Sequence, residues 1–241
     1  MGVRRGFRKA FKAFVDPEDV APPEVGTGIE ALGLEPPPDR ADWRAEAILS
    51  AVRDQGDCNT CTSFAGAAVI EAAYRIRTGQ AVRLAPSFIH RCLLARDCET
   101  GASAKQVLSA VAAHGVALGF AGDDPFPRDR CATPELFGLR SWGWLEGVDT
   151  MLATIAADGP VLADMFIDDS FLSLKSGKIY RLPAGQPSVL HSVAVVGYDR
   201  PAGWVLVQNS FGAGWGDGGF GLVAIGSGDL LSVRGAFKVA A

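Results

Sequence analysis

The chain has 241 residues, a formal net charge of -4 and 48% apolar residues. That length suits one large domain or two small lobes, and the apolar share excludes wholesale disorder. The charge argues against nucleic acid as the main partner, and no apolar run approaches the length of a membrane span.

Residues 1–14 read as a short amphipathic helix. Phe7, Phe11 and Phe14 recur at helical spacing, Val3 extends their face, and Arg4, Arg5, Arg8, Lys9 and Lys12 form the polar side. No long apolar stretch follows these basic residues, so no secretory leader is visible. Residues 16–39 are rich in proline, glycine and acids and read as a linker. The compact part is expected to begin near Ala41-Asp42-Trp43.

An alanine-rich helix is expected over 61–77, stopping at Thr78-Gly79. Ser103 can cap a second helix that runs to His114 and ends at Gly115. Asp149 can cap a third that ends before Gly159-Pro160. From Gly159 the texture changes to strands: 161–167, 178–182, 191–198, 204–210, 220–225 and 236–240, with glycine and proline between them. A helical half followed by a β half is an α+β pattern, and a cleft between two lobes is the natural site.

Cys58-Asn59-Thr60-Cys61 is a C-x-x-C. It can be a zinc half-site completed by His90, Cys92 or Cys98, a redox pair, or a nucleophile beside a structural cysteine. A redox pair belongs after a strand of a βαβ unit, and here the strands lie far downstream. Cys61 stands where a long helix begins, and the unsatisfied N–H groups there favour thiolate over thiol. Such a nucleophile needs a base that works near neutral pH. Of the three histidines, His90 lies among apolar residues and His114 at a helix end. His191 opens a strand after a loop. Asn209 closes the neighbouring strand, and its carbonyl oxygen can accept the Nδ1–H of a histidine and fix its tautomer.

Taken together these segments resemble the papain family of cysteine peptidases. The resemblance rests on Asp42-Trp43-Arg44, on Gln55-Gly56-x-Cys58-x-x-Cys61-x-x-Phe64, on His191-Ser-Val-Ala-Val-Val-Gly197-Tyr198 and on Asn209-Ser210-Phe211-Gly-x-Gly-Trp215-Gly216. His191 stands 130 and Asn209 148 residues beyond Cys61, matching the family's order and spacing. The resemblance spans about residues 41–241. It implies a two-lobed fold, with a helical lobe over about 47–145, an antiparallel β-barrel-like lobe over about 146–241 and the active-site cleft between them. It implies peptide-bond hydrolysis, as an endopeptidase, with no metal or organic cofactor. Cys61 would be the nucleophile and His191 its base, acting as a thiolate–imidazolium pair, with Asn209 the orienting group and Gln55 the side-chain donor of the oxyanion hole. Transfer chemistry on the same fold, a silent binding protein and a zinc module are the alternatives.

The resemblance also implies the disulfides Cys58–Cys98 and Cys92–Cys131, with Cys61 free. Around the substrate it points to Gly101, Asp164, Leu190, Phe211 and Arg234. Asp164 would stand on the wall of the pocket for the residue two before the cut, and Arg234 near its floor. Family pockets there are mostly apolar; this polar pair would bind charged side chains or be self-neutralising. Three departures stand out. Thr62 replaces the usual aromatic after the nucleophile, Phe211 replaces a tryptophan, and Thr100-Gly101 replaces a pair of glycines.

The partner implied is a polypeptide substrate. Residues 1–40 are much shorter than the family's helical pro-region, and three readings stay open for them. They restrain the enzyme as a zymogen segment, with Gly26-Thr27-Gly28 passing close to Cys61. They dock residues 1–14 on an anionic membrane surface or a partner. Or they are a tail. Disulfides imply an oxidising compartment, so the expected location is extracytoplasmic or secreted by a route without a visible leader. The alanine-rich, lysine-poor composition leans towards a bacterial source.

Overall fold

The computed structural model describes residues 25–27, 32–119, 131, 136–227 and 236–240. The expected helix over 1–14, and with it Gly28 and Arg234, lie outside the described residues. In chain order the elements are β1 (Val25–Thr27), β2 (Arg40–Asp42), α1 (Cys61–Thr78), α2 (Pro86–Phe88) running into a π-helical turn (Ile89–Leu93), α3 (Ala104–His114), β3 (Val116–Ala117), β4 (Leu136–Phe137), β5 (Ser141–Glu146), α4 (Val148–Asp158), β6 (Val161–Ile167), α5 (Asp169–Leu172), β7 (Ile179–Tyr180), β8 (Val189–Asp199), β9 (Trp204–Gln208), β10 (Phe220–Ala224) and β11 (Ala236–Ala240).

The helices begin and end for local reasons. α1 is built on alanine, the strongest helix former, and Gly79 closes it in the left-handed conformation with its N–H on the Arg75 carbonyl. Ser103 and Gln106 form a reciprocal capping box at the start of α3. α4 differs from expectation. Its cap is Gly147, at φ 84°, because β5 runs to Glu146 and the chain must turn at once. Asp149 instead lies in the first turn, where a carboxylate still favours the positive helix end.

The main sheet runs β1-β5-β11-β6-β8-β9-β10-β7, with β2 also paired to β8. It is antiparallel except at β1–β5 and β7–β10. With the helices it forms an α+β fold, and β8 is its longest strand. Strand alternation builds two cores. Leu162 of β6 and Ala194 and Val196 of β8 face the core that α1 and α3 complete. Val161, Ala163, Met165 and Ile167 of β6, with Val193 and Val195 of β8, face a second core closed by α4. Gly197 lets β2 close on β8: a Cβ there would sit 2.5 Å from the Ala41 carbonyl oxygen.

Helix and strand do not separate cleanly at Gly159. β5 precedes that point and pairs with β11 almost a full domain away in sequence. Its short Ser-Trp-Gly-Trp-Leu-Glu run carries a glycine that weakens any local strand signal. The extension also differs from expectation. Val25–Thr27 pairs with Trp144–Glu146 on the outer edge of β5. That edge lies four strands from β8, roughly 19 Å at ~4.8 Å per strand. Gly26 and Thr27 therefore cap a sheet edge instead of passing over Cys61. The reason is general: an open edge presents a row of unused N–H and C=O groups that a passing extended segment satisfies.

Candidate active site

Cys61 is the first residue of α1, and no acidic side chain stands in that first turn. The loop ahead of it is pinned twice. Cys58 is bridged to Cys98, and Asn59 donates from its backbone to Cys98 O at 3.1 Å and from Nδ2 to Glu99 O at 3.1 Å. Cys92 is bridged to Cys131. Both pairings agree with expectation, and Cys61 is the free thiol. With Cys58, Cys92 and Cys98 oxidised, none of them is a thiolate for zinc.

His191 sits on β8, fully buried. Its Nε2 lies 2.8 Å from Asn209 Oδ1. The same oxygen accepts the Ser210 backbone N–H at 2.8 Å, which fixes the amide with its oxygen toward the ring. Nε2 must then carry the proton, and Nδ1 is the basic nitrogen. This reverses the expected use of the two nitrogens. The reason is placement: Nδ1 is nearer the ring's own main chain, and Nε2, at the outer edge of the ring, is the nitrogen that reaches Asn209.

Aromatic rings wall the His191–Asn209 bond. Phe211 lies 4.8 Å from the imidazole at an interplanar angle of 31°. Phe171 stands 5.9 Å away, and Trp215 holds it by donating Nε1–H to the Phe171 carbonyl at 2.8 Å. Phe211 therefore acts on the histidine and shields it. Phe171 has no sequence motif of its own; it arrives on the short helix α5. His90 is buried and bonded to the Asp97 carbonyl, and His114 is exposed at the end of α3, as expected for structural residues.

Gln55 is buried. Its Nε2 donates to Cys58 O at 2.8 Å, and its Oε1 accepts from Ser210 Oγ at 2.5 Å. A carboxamide has two N–H hydrogens, so one remains beyond the Cys58 bond. Two residues earlier, Arg53 forms a buried ion pair with Glu71 of α1, which also accepts the Leu84 N–H at 2.6 Å. A cavity of about 20 Å³ behind Asn209 and Ser192, lined also by Arg53 and Phe64, has room for a water and not for a peptide.

Burial governs the electrostatics. It pushes the Cys61 thiol up; the Ser192 N–H and Thr62 partly offset this, and Asp164 adds to it. It pulls the His191 imidazole down to about 4, with the Asn209 bond opposing. Both shifts disfavour the charged form of each group taken alone.

Among the expected substrate residues, Asp164 of β6 pairs directly with Ser192 of β8, and Leu190 pairs with Phe166. Gly101 is buried, one residue before Ala102, whose carbonyl accepts from Thr62 Oγ1. Thr62 and Ser192 carry no motif that singles them out as site residues in the sequence. Ser192 follows His191, and strand alternation turns it to the same face as Asp164; that was the available signal.

The papain family cysteine protease description matches residues 37–233. The chain belongs to this family. It is 28% identical to papain of Carica papaya over 208 residues, 83% of this chain and 59% of that one. It is 27% identical to a cysteine protease of Blomia tropicalis over 80% of this chain and 63% of that one. Against ananain of Ananas comosus the values are 26%, 76% and 54%. The chain thus spans less than two thirds of the length of these relatives. A Carica candamarcensis cysteine protease solved in complex with E-64 superposes with a TM-score of 0.70 at 25% identity, over 84% of this chain and 98% of that one. A digestive procathepsin L2 proteinase from Tenebrio molitor shares the fold, with a TM-score of 0.77 at 23% identity, over 97% of this chain and 78% of that one. Among the described residues no helix is long and apolar enough to cross a membrane.

Proposed function

We propose that this papain-family chain hydrolyses internal peptide bonds of polypeptides, with Cys61 as nucleophile and His191 as its general base and acid. The observation that carries the reading is the doubly fixed Asn209 oxygen, which commits Nε2 of His191 to Asn209 and leaves Nδ1 as the base. The Cys61 thiol proton moves to Nδ1, giving a thiolate–imidazolium pair, and the sulfur attacks the scissile carbonyl carbon. The oxyanion takes hydrogen bonds from the Cys61 N–H and the second Gln55 N–H. His191 then gives its proton to the amine nitrogen, the C–N bond breaks, and a thioester remains on Cys61. A water molecule loses a proton to His191, attacks the thioester and releases the acid, and the proton returns to the pair.

Asp164, Leu190 and Gly101 form part of the substrate wall in this reading, and Phe211 bounds the site by shielding His191. Asp164 gives the pocket for the residue two before the cut a polar side. Restraint of the enzyme by residues 1–40 stays part of the proposal, carried by the portion outside β1. Two disulfides fit an oxidising compartment, so secretion is proposed. The composition supports a bacterial source, although the relatives named above come from Blomia, Ananas and Carica.

The test is covalent labelling. E-64, the compound in the Carica candamarcensis complex, should attach to Cys61 alone by peptide mass spectrometry. Cys61→Ala should lose both label and hydrolysis while keeping its fold by circular dichroism. Hydrolysis that survives in Cys61→Ala ends the reading.

A further inference from the structure

Three oxygen contacts link the two halves of the site. Ser192 Oγ lies 2.5 Å from Asp164 Oδ1 and 2.8 Å from Thr62 Oγ1. Thr62 Oγ1 lies 2.7 Å from the Ala102 carbonyl oxygen. All three are hydrogen-bonding distances. Their hydrogens can be counted. The carbonyl supplies none, and each hydroxyl supplies one. With Asp164 ionised, two hydrogens serve three contacts. The Thr62 hydrogen is taken by Ala102. The Ser192 hydrogen then goes to Asp164 or to Thr62, and the remaining contact presses two lone pairs together. A proton on Asp164 supplies the missing hydrogen. Asp164 then donates to Ser192, Ser192 to Thr62 and Thr62 to Ala102, with every link made.

We propose that at mildly acid pH Asp164 is a carboxylic acid in the resting enzyme and heads a hydrogen-bonded clasp, through Ser192 and Thr62, that positions Cys61 and His191 relative to each other. The clasp rests on the roles assigned to those two residues above. Its placement supports it: Thr62 directly follows Cys61 on α1, and Ser192 directly follows His191 on β8. The chain spans 130 residues between the two hydroxyls, so their bond joins elements that nothing local holds together. Two departures from the family pattern also explain each other. An aromatic at position 62 has no hydroxyl for Ser192, and an apolar wall at position 164 has no proton to give. Burial independently raises the Asp164 carboxyl to about 6. Cys61 of α1 is the titratable group coupled to it, and His191 stands next to Ser192 along β8. An ionised Asp164 would push the thiol further up, so the proton also removes a charge that opposes the nucleophile. Asp164 acts through its neighbours and is a positioning residue.

Infrared difference spectra of the full chain and Asp164→Asn test the protonation. A protonated-carboxyl band should be present at about pH 5, absent in Asp164→Asn, and should fade as pH rises through about 6. Kinetics at about pH 5 test the clasp. Thr62→Val and Ser192→Ala should each lower kcat about five- to tenfold with KM unchanged. The double variant should be no worse than either single one, and Thr62→Ser should restore the rate. Absence of the band at acid pH overturns the proposal, as do additive losses in the double variant. The infrared reading needs no turnover, so it fails or holds separately from the peptidase reading.

Discussion

Ser210 Oγ donates to Gln55 Oε1 at 2.5 Å, and the Gln55 backbone N–H donates to the Ser210 carbonyl at 2.8 Å. This double link ties the loop before Cys61 to the turn after Asn209. It also holds the oxygen end of the Gln55 carboxamide on Ser210, while the nitrogen end donates to the Cys58 carbonyl, three residues before Cys61. Gln55→Ala should lower kcat roughly 10²- to 10³-fold, the usual loss of an oxyanion-hole donor. Ser210→Ala frees the carboxamide without removing it, so its loss should be smaller. Steady-state kinetics on one peptide substrate compares the two, and equal losses would mean that Gln55 contributes only structure.

Asn209 holds the imidazole through Nε2. Asn209→Ala removes the acceptor and leaves the Ser210 N–H without its partner. Loss of an orienting group costs about 10⁴-fold where it fixes the tautomer; here the aromatic wall of Phe211 and Phe171 still constrains the ring, so a drop of about 10²- to 10³-fold in kcat is expected. Burst kinetics would locate the drop in acylation.

The buried Arg53–Glu71 pair anchors the Gln55 loop to α1. Glu71→Ala strands the guanidinium in the core and removes the acceptor of the Leu84 N–H. Such a break costs about 3–5 kcal/mol, read as a shift in the urea midpoint. Paired replacement of Arg53 and Glu71 by apolar residues should recover most of it.

Stability should carry the Asp164 proton. A carboxyl raised to about 6 holds its proton more tightly in the folded than in the unfolded chain. Its contribution is full below the unfolded value of 3.8 and is lost as pH rises through about 6. His191 runs the other way: lowered from 6.5 to about 4, it contributes above 6.5 and is lost as pH falls toward about 4. The Tm difference between wild type and Asp164→Asn cancels the histidine and isolates the carboxyl. That difference should move against wild type across the upper window; a flat difference contradicts the assignment.

A chain starting at Pro37 keeps the β2–β8 pairing but loses the β1–β5 edge. It should melt at a lower temperature. If residues 1–40 restrain the site, its kcat/KM should rise, and the restraint would belong to residues outside β1. An unchanged kcat/KM assigns the segment to stability alone.

The sequence by itself determined the local and the ordered. Alanine content and Gly79 set α1, Ser103 and Gln106 set α3, and the apolar run 161–167 set β6. The order and spacing of Gln55, Cys61, His191 and Asn209 marked the site before any fold was known, because each motif keeps its residue types within a short window. Other features depended on pairing across the chain. Whether His191 turns Nε2 or Nδ1 to Asn209 was decided by which face of β8 meets α1. β5 became a strand only through β11, and Val25–Thr27 joined its edge because open backbone groups were waiting there. Thr62 and Asp164 read as isolated departures in sequence. The register that sets Asp164 opposite Ser192, and the packing of that face on α1, made them two ends of one hydrogen-bonded chain.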